Sequence, residues 1–246
     1  MSEPSLTQDM HVHSTFSDGK NTIAENVAEA ERIGLTEMTC VDHVRYDTKW
    51  VPEYVAAVGE AGERTSIELH CAVEAKILTT EGRLDLPADL DGVDAVYAAD
   101  HQVPSPEGPL HPRSVRGEIE SGALDPQEVL RWIVTGTAAA VRHHPSVVIA
   151  HLFSVLPKIG LAETEVPKGL IDSLADTAAE FGARIEVDER WKCPSVETLR
   201  PFLRRGVPLL LSTDSHRSET IGRFDYCTSV VRDLQGRDPG RGQLSG

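Results

Sequence analysis

The sequence lacks several features, and each absence removes a class of function. No apolar run approaches the roughly 18 residues that a membrane-spanning helix needs. The first eight residues are polar and carry Glu3 and Pro4, with neither the basic start nor the apolar stretch of a signal peptide, so a cytoplasmic location is expected. The four cysteines (Cys40, Cys71, Cys193, Cys227) form no Cys-x-x-Cys pair. Reduced thiols are therefore expected, rather than a disulfide framework or a thiolate zinc site. Positive charge is scarce: 24 Lys and Arg face 39 Asp and Glu, a net charge of −15. Such a surface repels phosphate backbones and anionic lipid, which argues against nucleic acid or a membrane as a bulk partner and leaves room for a local basic cluster around one small anion. Oligomeric state is open. No Gly-x-Gly-x-x-Gly or Gly-x-x-x-x-Gly-Lys follows a strand, so neither a dinucleotide site nor a P-loop is indicated.

What remains is an ordinary globular composition, 40% hydrophobic and 26% charged over 246 residues, enough for one sizeable core. Seven short apolar runs read as buried strands, at 10–15, 37–43, 67–77, 94–101, 147–153, 183–190 and 208–216. Helical patterns at 22–33, 51–63, 126–141, 168–181 and 195–205 separate most of them. Thr22 with Glu25 reads as a capping box and Gly34 as a stop. The alternation means parallel strands joined by crossovers, closed into a barrel or left as an open sheet. One domain over residues 1–232 is expected, with 1–8 as a polar lead, 104–121 as a loop-rich stretch over one end, and a disordered tail from 233 to 246.

In parallel α/β folds, chemistry gathers at the C-terminal ends of the strands. Six of the ten histidines fall there, on five different strands. The first strand ends in His11 and His13 with Asp18 after it, the second in Asp42 and His43. The third carries Glu74, the fourth Asp100 and His101, the fifth His151. The sixth ends in Glu186-Val-Asp188, the seventh in Asp214-Ser-His216. Residues two apart on a strand share a face, so His11 with His13, and Asp214 with His216, point the same way. Imidazole nitrogens and carboxylate oxygens converging on one space suit Zn²⁺, Mn²⁺ or Fe²⁺. His143 and His144 read as helix-end cations, His111 as a loop residue near the site, and His70 as a buried, hydrogen-bonded side chain deeper on the third strand.

The set His11-Val-His13-Ser14 with Ser17-Asp18-Gly19, Asp42-His43, Glu74, His101, His151 and Asp214-Ser-His216 resembles the PHP (polymerase and histidinol phosphatase) family over residues 9–216. The resemblance implies a distorted seven-stranded β/α barrel of the TIM-like type and two or three divalent metal ions (Zn, Mn or Fe). Carried across, His11, His13, Glu74 and Asp214 would hold one ion. Glu74, His101 and His151 would hold a second, with Asp18, His43 and His216 for a third. The segment after the sixth strand departs from the Glu-Ile-Asn of many relatives.

The expected activity is a metal-dependent phosphatase acting on a small phosphorylated metabolite, such as histidinol phosphate or a nucleotide, through hydroxide held on the metals. Asp214 or His216 would move a proton and Asp42 would orient His43. Arg190 and Lys192 are the leading candidates for binding substrate phosphate, with Arg45 and Arg217 after them. Trp191 reads as barrel-wall packing. Two alternatives stand beside this reading: an amidohydrolase-like C–N or lactone hydrolase, for which Lys76 on the third strand is the only hint, and a non-catalytic metal-binding module.

Overall fold

Seven strands, all parallel, stand side by side in the order β1-β2-β3-β4-β7-β8-β9. In this computed structural model, which describes residues 5–236, they are β1 (Gln8–Val12), β2 (Glu37–His43), β3 (Glu68–Lys76), β4 (Ala95–Ala99), β7 (Val148–Ala150), β8 (Arg184–Asp188) and β9 (Leu209–Ser212). The intervening β5 (Val103–Ser105) and β6 (Gly108–Leu110) make a separate antiparallel hairpin. The parallel α/β alternation is present, closed as the barrel that the family resemblance implied, its seven strands each matching one of the apolar runs.

The helices form where the sequence supplies their ends. In α1 (Ile23–Ile33), the Thr22 side chain accepts from the Glu25 amide while the Glu25 carboxylate accepts from the Thr22 amide, and Gly34 closes the helix at φ 82°. Helix α4 (Pro126–His143) starts from Asp125, whose carboxylate accepts from the Gln127 amide. The remaining helices are α2 (Val51–Gly62), α3 (Pro112–Ser121), α5 (Lys168–Glu180), α6 (Val196–Arg204) and α7 (Tyr226–Gly236).

Two features depart from the sequence reading. The stretch 104–121 is not a loop: it holds most of the hairpin and all of α3, where His111 caps the helix by accepting from the Arg113 amide. Its short strands and charged helix lack the long apolar periodicity that marks the other elements. Residues 233–236, assigned to the tail, continue α7, which is anchored by buried Cys227 and Val230. Residues 237–246 lie outside the described residues.

Burial divides into two bodies. The larger packs the outer faces of the strands against the helices, and includes Met38, Val73, Ile149, Leu130, Ile133, Leu174 and Phe202. The smaller fills the barrel interior with Val41, Ala72, Tyr97, Ala99, Val148 and Ala150. Five of those six are Ala or Val, so the single large ring, Tyr97, can cross the interior, donating its hydroxyl to the Met10 carbonyl and meeting His11 edge-on at 5.0 Å between centroids. Tyr97 is thus the floor on which the polar residues stand.

The seam between the first and last strands closes by other means than a full ladder. The His13 amide donates to the Ser215 carbonyl at 2.8 Å and the Ser215 amide to the His11 carbonyl at 3.2 Å. Beside them, the buried Asp9 carboxylate accepts from the Thr213 amide (3.0 Å), the Thr213 hydroxyl (2.6 Å) and the Gly222 amide (2.9 Å). Both oxygens of Asp9 receive backbone N–H groups, so an amide in its place must turn an NH₂ toward a donor in either orientation. Asp9→Asn is expected to lower stability by about 1–3 kcal/mol in chemical denaturation. An unchanged midpoint and slope would show that the seam does not depend on this carboxylate.

Candidate metal centre

At the C-terminal mouth of the barrel, the ends of six strands bring together all nine residues singled out as ligands. Glu74, buried at the end of β3, is the centre. Its Oε1 lies 2.8 Å from His151 Nε2 and 3.1 Å from His101 Nε2. Its Oε2 lies 2.7 Å from His43 Nδ1, 3.6 Å from His11 Nε2 and 3.7 Å from His13 Nε2. Asp214 Oδ1 is 3.0 Å from His13 Nε2 and 3.4 Å from His216 Nδ1. Asp18, more exposed on the outer side, is 3.1 Å from His216 Nε2 and 3.5 Å from His43 Nε2.

The donor atoms of eight of them fall into three overlapping groups in which every atom lies within 4.8 Å of the others: His11, His13 and Asp214; His43, Glu74 and His101; and His13, Asp18, His43 and His216; His151 joins none of the three and touches the cluster through Glu74. The partition implied by the family resemblance differs in detail, since His13 also stands with Asp18 and His43 also stands with Glu74.

The donors fit a cation. Buried N and O atoms are nearly always hydrogen-bonded, yet His11 Nε2, both ring nitrogens of His13, Glu74 Oε2, His151 Nδ1 and Asp214 Oδ1 have no hydrogen-bond partner. Four of them, His11 Nε2, His13 Nε2, Glu74 Oε2 and Asp214 Oδ1, stand together at the mouth, linked by contacts of 3.0–3.7 Å. Imidazole and carboxylate donors without thiolate suit divalent ions such as Zn, Mn or Fe.

Electrostatics at the cluster pull in opposite directions. Burial pushes the His11 imidazole pKa down, but Glu186 and Glu74 outweigh it and hold the pKa well above the usual value. His151 follows the same pattern, with burial opposed by Asp100 and Glu74. Burial dominates at His13, which falls to about 4. For Glu74, burial raises the pKa, and His101 and His43 more than reverse it.

The backbone is held in unusual shapes here. His151 (φ 27°) and Asp214 (φ 48°) both adopt the left-handed region, which costs a non-glycine residue about 1–3 kcal/mol and concentrates at functional sites. Gly19 has a different constraint. A Cβ on it would lie 2.7 Å from the His13 carbonyl carbon and oxygen and the Ser14 nitrogen, so only glycine lets the Asp18 turn rest against the His13 peptide.

Several expectations about supporting residues need correction. Asp42 does not orient His43; neighbours on a strand point to opposite faces. Its carboxylate instead accepts from the Ser14 amide (3.0 Å) and hydroxyl (2.6 Å) and from the Ser17 amide and hydroxyl, fixing the loop that carries Asp18. His70 is only partly buried and pairs with Glu37 at 2.9 Å, far from the mouth. Trp191 is not wall packing: its indole donates to Asp214 Oδ2 at 2.8 Å.

Of the cations proposed for substrate, Arg190 reaches the cluster, with Nη1 against His216 Nδ1 and 3.5 Å from Asp214 Oδ2. Arg45 is exposed but lines the mouth cavity with His43 and Glu74. Lys192 and Arg217 are exposed and line no described cavity that includes a cluster residue.

Three supporting residues were not assigned from the sequence. Glu186 Oε1 lies 2.8 Å from His11 Nδ1 and its Oε2 accepts from the His151 amide, orienting two donors at once. Asp100 accepts from the Ser154 hydroxyl at 2.7 Å and lies 3.4 Å from His151 Nδ1. Lys158 holds its ammonium 3.9 Å from the centre of the Trp191 ring. The first two sit at strand ends and were visible as such; Lys158 carries no local signal.

Comparison with known proteins bears on the family and the fold. Residues 9–185 match the PHP domain. A probable phosphatase of Caldanaerobacter subterraneus subsp. tengcongensis is 25% identical over 251 aligned residues, 93% of this chain and 84% of that protein. The crystal structure of a candidate histidinol phosphatase from Listeria monocytogenes superposes with a TM-score of 0.65 at 13% identity, covering 90% of this chain and 99% of that one. A candidate metal-dependent phosphoesterase from Bifidobacterium adolescentis superposes with a TM-score of 0.48 at 18% identity, covering 96% and 100%. The PHP match spans most of the barrel, from β1 into β8, and takes in seven of the nine clustered residues, all but Asp214 and His216: the chain belongs to the PHP family.

Proposed function

We propose that the protein is a metal-dependent phosphatase that hydrolyses a small phosphomonoester at the mouth of the barrel. The observation that carries this reading is the set of buried, unpartnered N and O atoms around Glu74, a pocket of donors that is costly unless cations fill it. Membership of the PHP family and the resemblance to a probable phosphatase support the choice of phosphate ester. The C–N hydrolase alternative has less behind it: a carboxylate, Glu74, and not a lysine, holds the central position among the imidazoles.

Divalent ions held by these donors would lower the pKa of water and offset charge on phosphoryl oxygens. The chain's own residues do the rest. Glu186 fixes the ring of His11 and the backbone of His151, and the Trp191 indole holds the Asp214 carboxylate. Arg190, an exposed guanidinium against His216, is placed to bind phosphoryl oxygens. Asp214 and His216, adjoining it, are the groups able to move a proton.

The direct test is phosphate release from a panel of phosphomonoesters by metal-loaded and chelator-stripped protein. Release is expected only when metal is present. His11→Ala is expected to lose both bound metal and turnover, measured by elemental analysis and phosphate assay. A metal-replete, fully active variant would refute the site. Arg190→Ala is expected to raise KM by about tenfold or more, with a smaller change in kcat. A loss confined to kcat would instead place the arginine at the reacting atoms alone.

Proton linkage offers a further check. His11 and His151 hold protons to higher pH than free histidine in the metal-free protein, and a ligand imidazole must be neutral. Metal uptake by the stripped protein should therefore release protons, and affinity should rise with pH through neutrality. Calorimetry in buffers of different ionisation enthalpy measures the release. An affinity independent of pH between about 6 and 8 would contradict the assignment of these two rings.

A further inference from the structure

The segment that folds into the hairpin and α3 carries a second cavity beside the mouth. Its volume is about 500 Å³, and Lys76, His101, Gln102, Arg113, Arg116 and Lys158 line it. Four of these are permanent cations, and no carboxylate is among the lining residues. In a chain of net charge −15, a wall of one sign and the minority sign is not what composition supplies.

Nor are most of these cations neutralised. Among the described residues, Arg116 pairs with Glu120 at 2.8 Å, while Lys76, Arg113 and Lys158 make no ion pair. Lys158 rests on the face of Trp191, with Asp100 and Asp214 acting on it from beyond ion-pair distance. Lys76 and Lys158 are half-buried and Arg113 and Arg116 exposed; like charges gathered on one wall repel one another, and an entering anion relieves that repulsion.

The cavity communicates with the donor cluster. His101, whose Nε2 is 3.1 Å from Glu74, lines both this cavity and the one containing Asp18, His43 and Glu74, and so does Lys76. A phosphoryl group at the cluster leaves the rest of its ester room to extend past His101 toward the cations.

Building on the phosphatase reading above, we propose that this basic cavity binds a second anionic group of the substrate, a carboxylate or a second phosphate. The preferred substrates are then phosphomonoesters with an anionic remainder. An ester whose remainder carries an ammonium group is disfavoured, because it would meet four positive side chains.

The test compares kcat/KM of metal-loaded protein for 3-phosphoglycerate, glycerol 3-phosphate and phosphoethanolamine, with fructose 1,6-bisphosphate against fructose 6-phosphate for a second phosphate. The anionic remainder is expected to be preferred over the neutral one by about tenfold or more, with phosphoethanolamine poorest. Arg113→Gln combined with Lys158→Met should collapse that ratio, whatever it does to either rate. As a readout independent of turnover, calorimetric titration of chelator-stripped protein should show 3-phosphoglycerate binding more tightly than glycerol 3-phosphate, a difference lost in the double variant. Preference for the carboxylate or for the second phosphate identifies the source of the anion. Turnover that is indifferent to the remainder's charge, or a ratio untouched by the double variant, overturns the cavity's assignment and leaves the phosphatase reading standing. No turnover of any ester by metal-replete protein overturns both.

Discussion

One buried carboxylate organises the mouth of this barrel. Glu74 is fully enclosed, and five imidazoles from four other strands reach it within 3.7 Å. A lone ionised carboxylate in such a place would be costly. Surrounded by nitrogens it becomes the common point to which β1, β2, β4 and β7 must all be registered. The parallel arrangement makes this possible, because it brings every strand's C-terminal end to the same side. Small residues in the barrel interior and the ring of Tyr97 then set the depth at which the donors stop.

Around this centre lies a second ring of carboxylates that bind to the chain rather than facing the open mouth. Asp42 holds the loop of Ser14 and Ser17, Asp9 holds Thr213 and Gly222, and Glu186 holds the amide of His151 as well as the ring of His11. Each takes a segment that would otherwise be an ordinary surface loop and ties it to a strand. The left-handed residues His151 and Asp214 are tolerated inside that framework, where neighbouring bonds fix the backbone on both sides.

Much of this was legible in the residues themselves. Alternating apolar runs and capped helices specified the seven strands and their parallel order, because both signals are local; closure into a barrel is a long-range property and came only from the family resemblance. The gathering of His11, His13, His43, Glu74, His101, His151 and Asp214 could be anticipated from strand-end position alone. The roles of their supports could not. Asp42 is adjacent to His43 in sequence, and only the pleat of the strand shows that it faces Ser14. Lys158 and Arg113 are ordinary surface cations when read along the chain; they meet because a hairpin and a short helix fold across the barrel end. That segment was read as loop because three-residue strands and a charged ten-residue helix are too short to show a period.

The seam has a temporal consequence. His11 and His13 belong to the first strand, Asp214 and His216 follow the last, and they meet only where the Ser215 backbone bonds to His11 and His13. As the chain leaves the ribosome, the early histidines emerge with no late partners, and the cluster stays incomplete until about two hundred further residues have followed. Assembly of the full donor set is therefore tied to completion of the barrel: a nascent or half-folded chain has separate histidines but not yet the site.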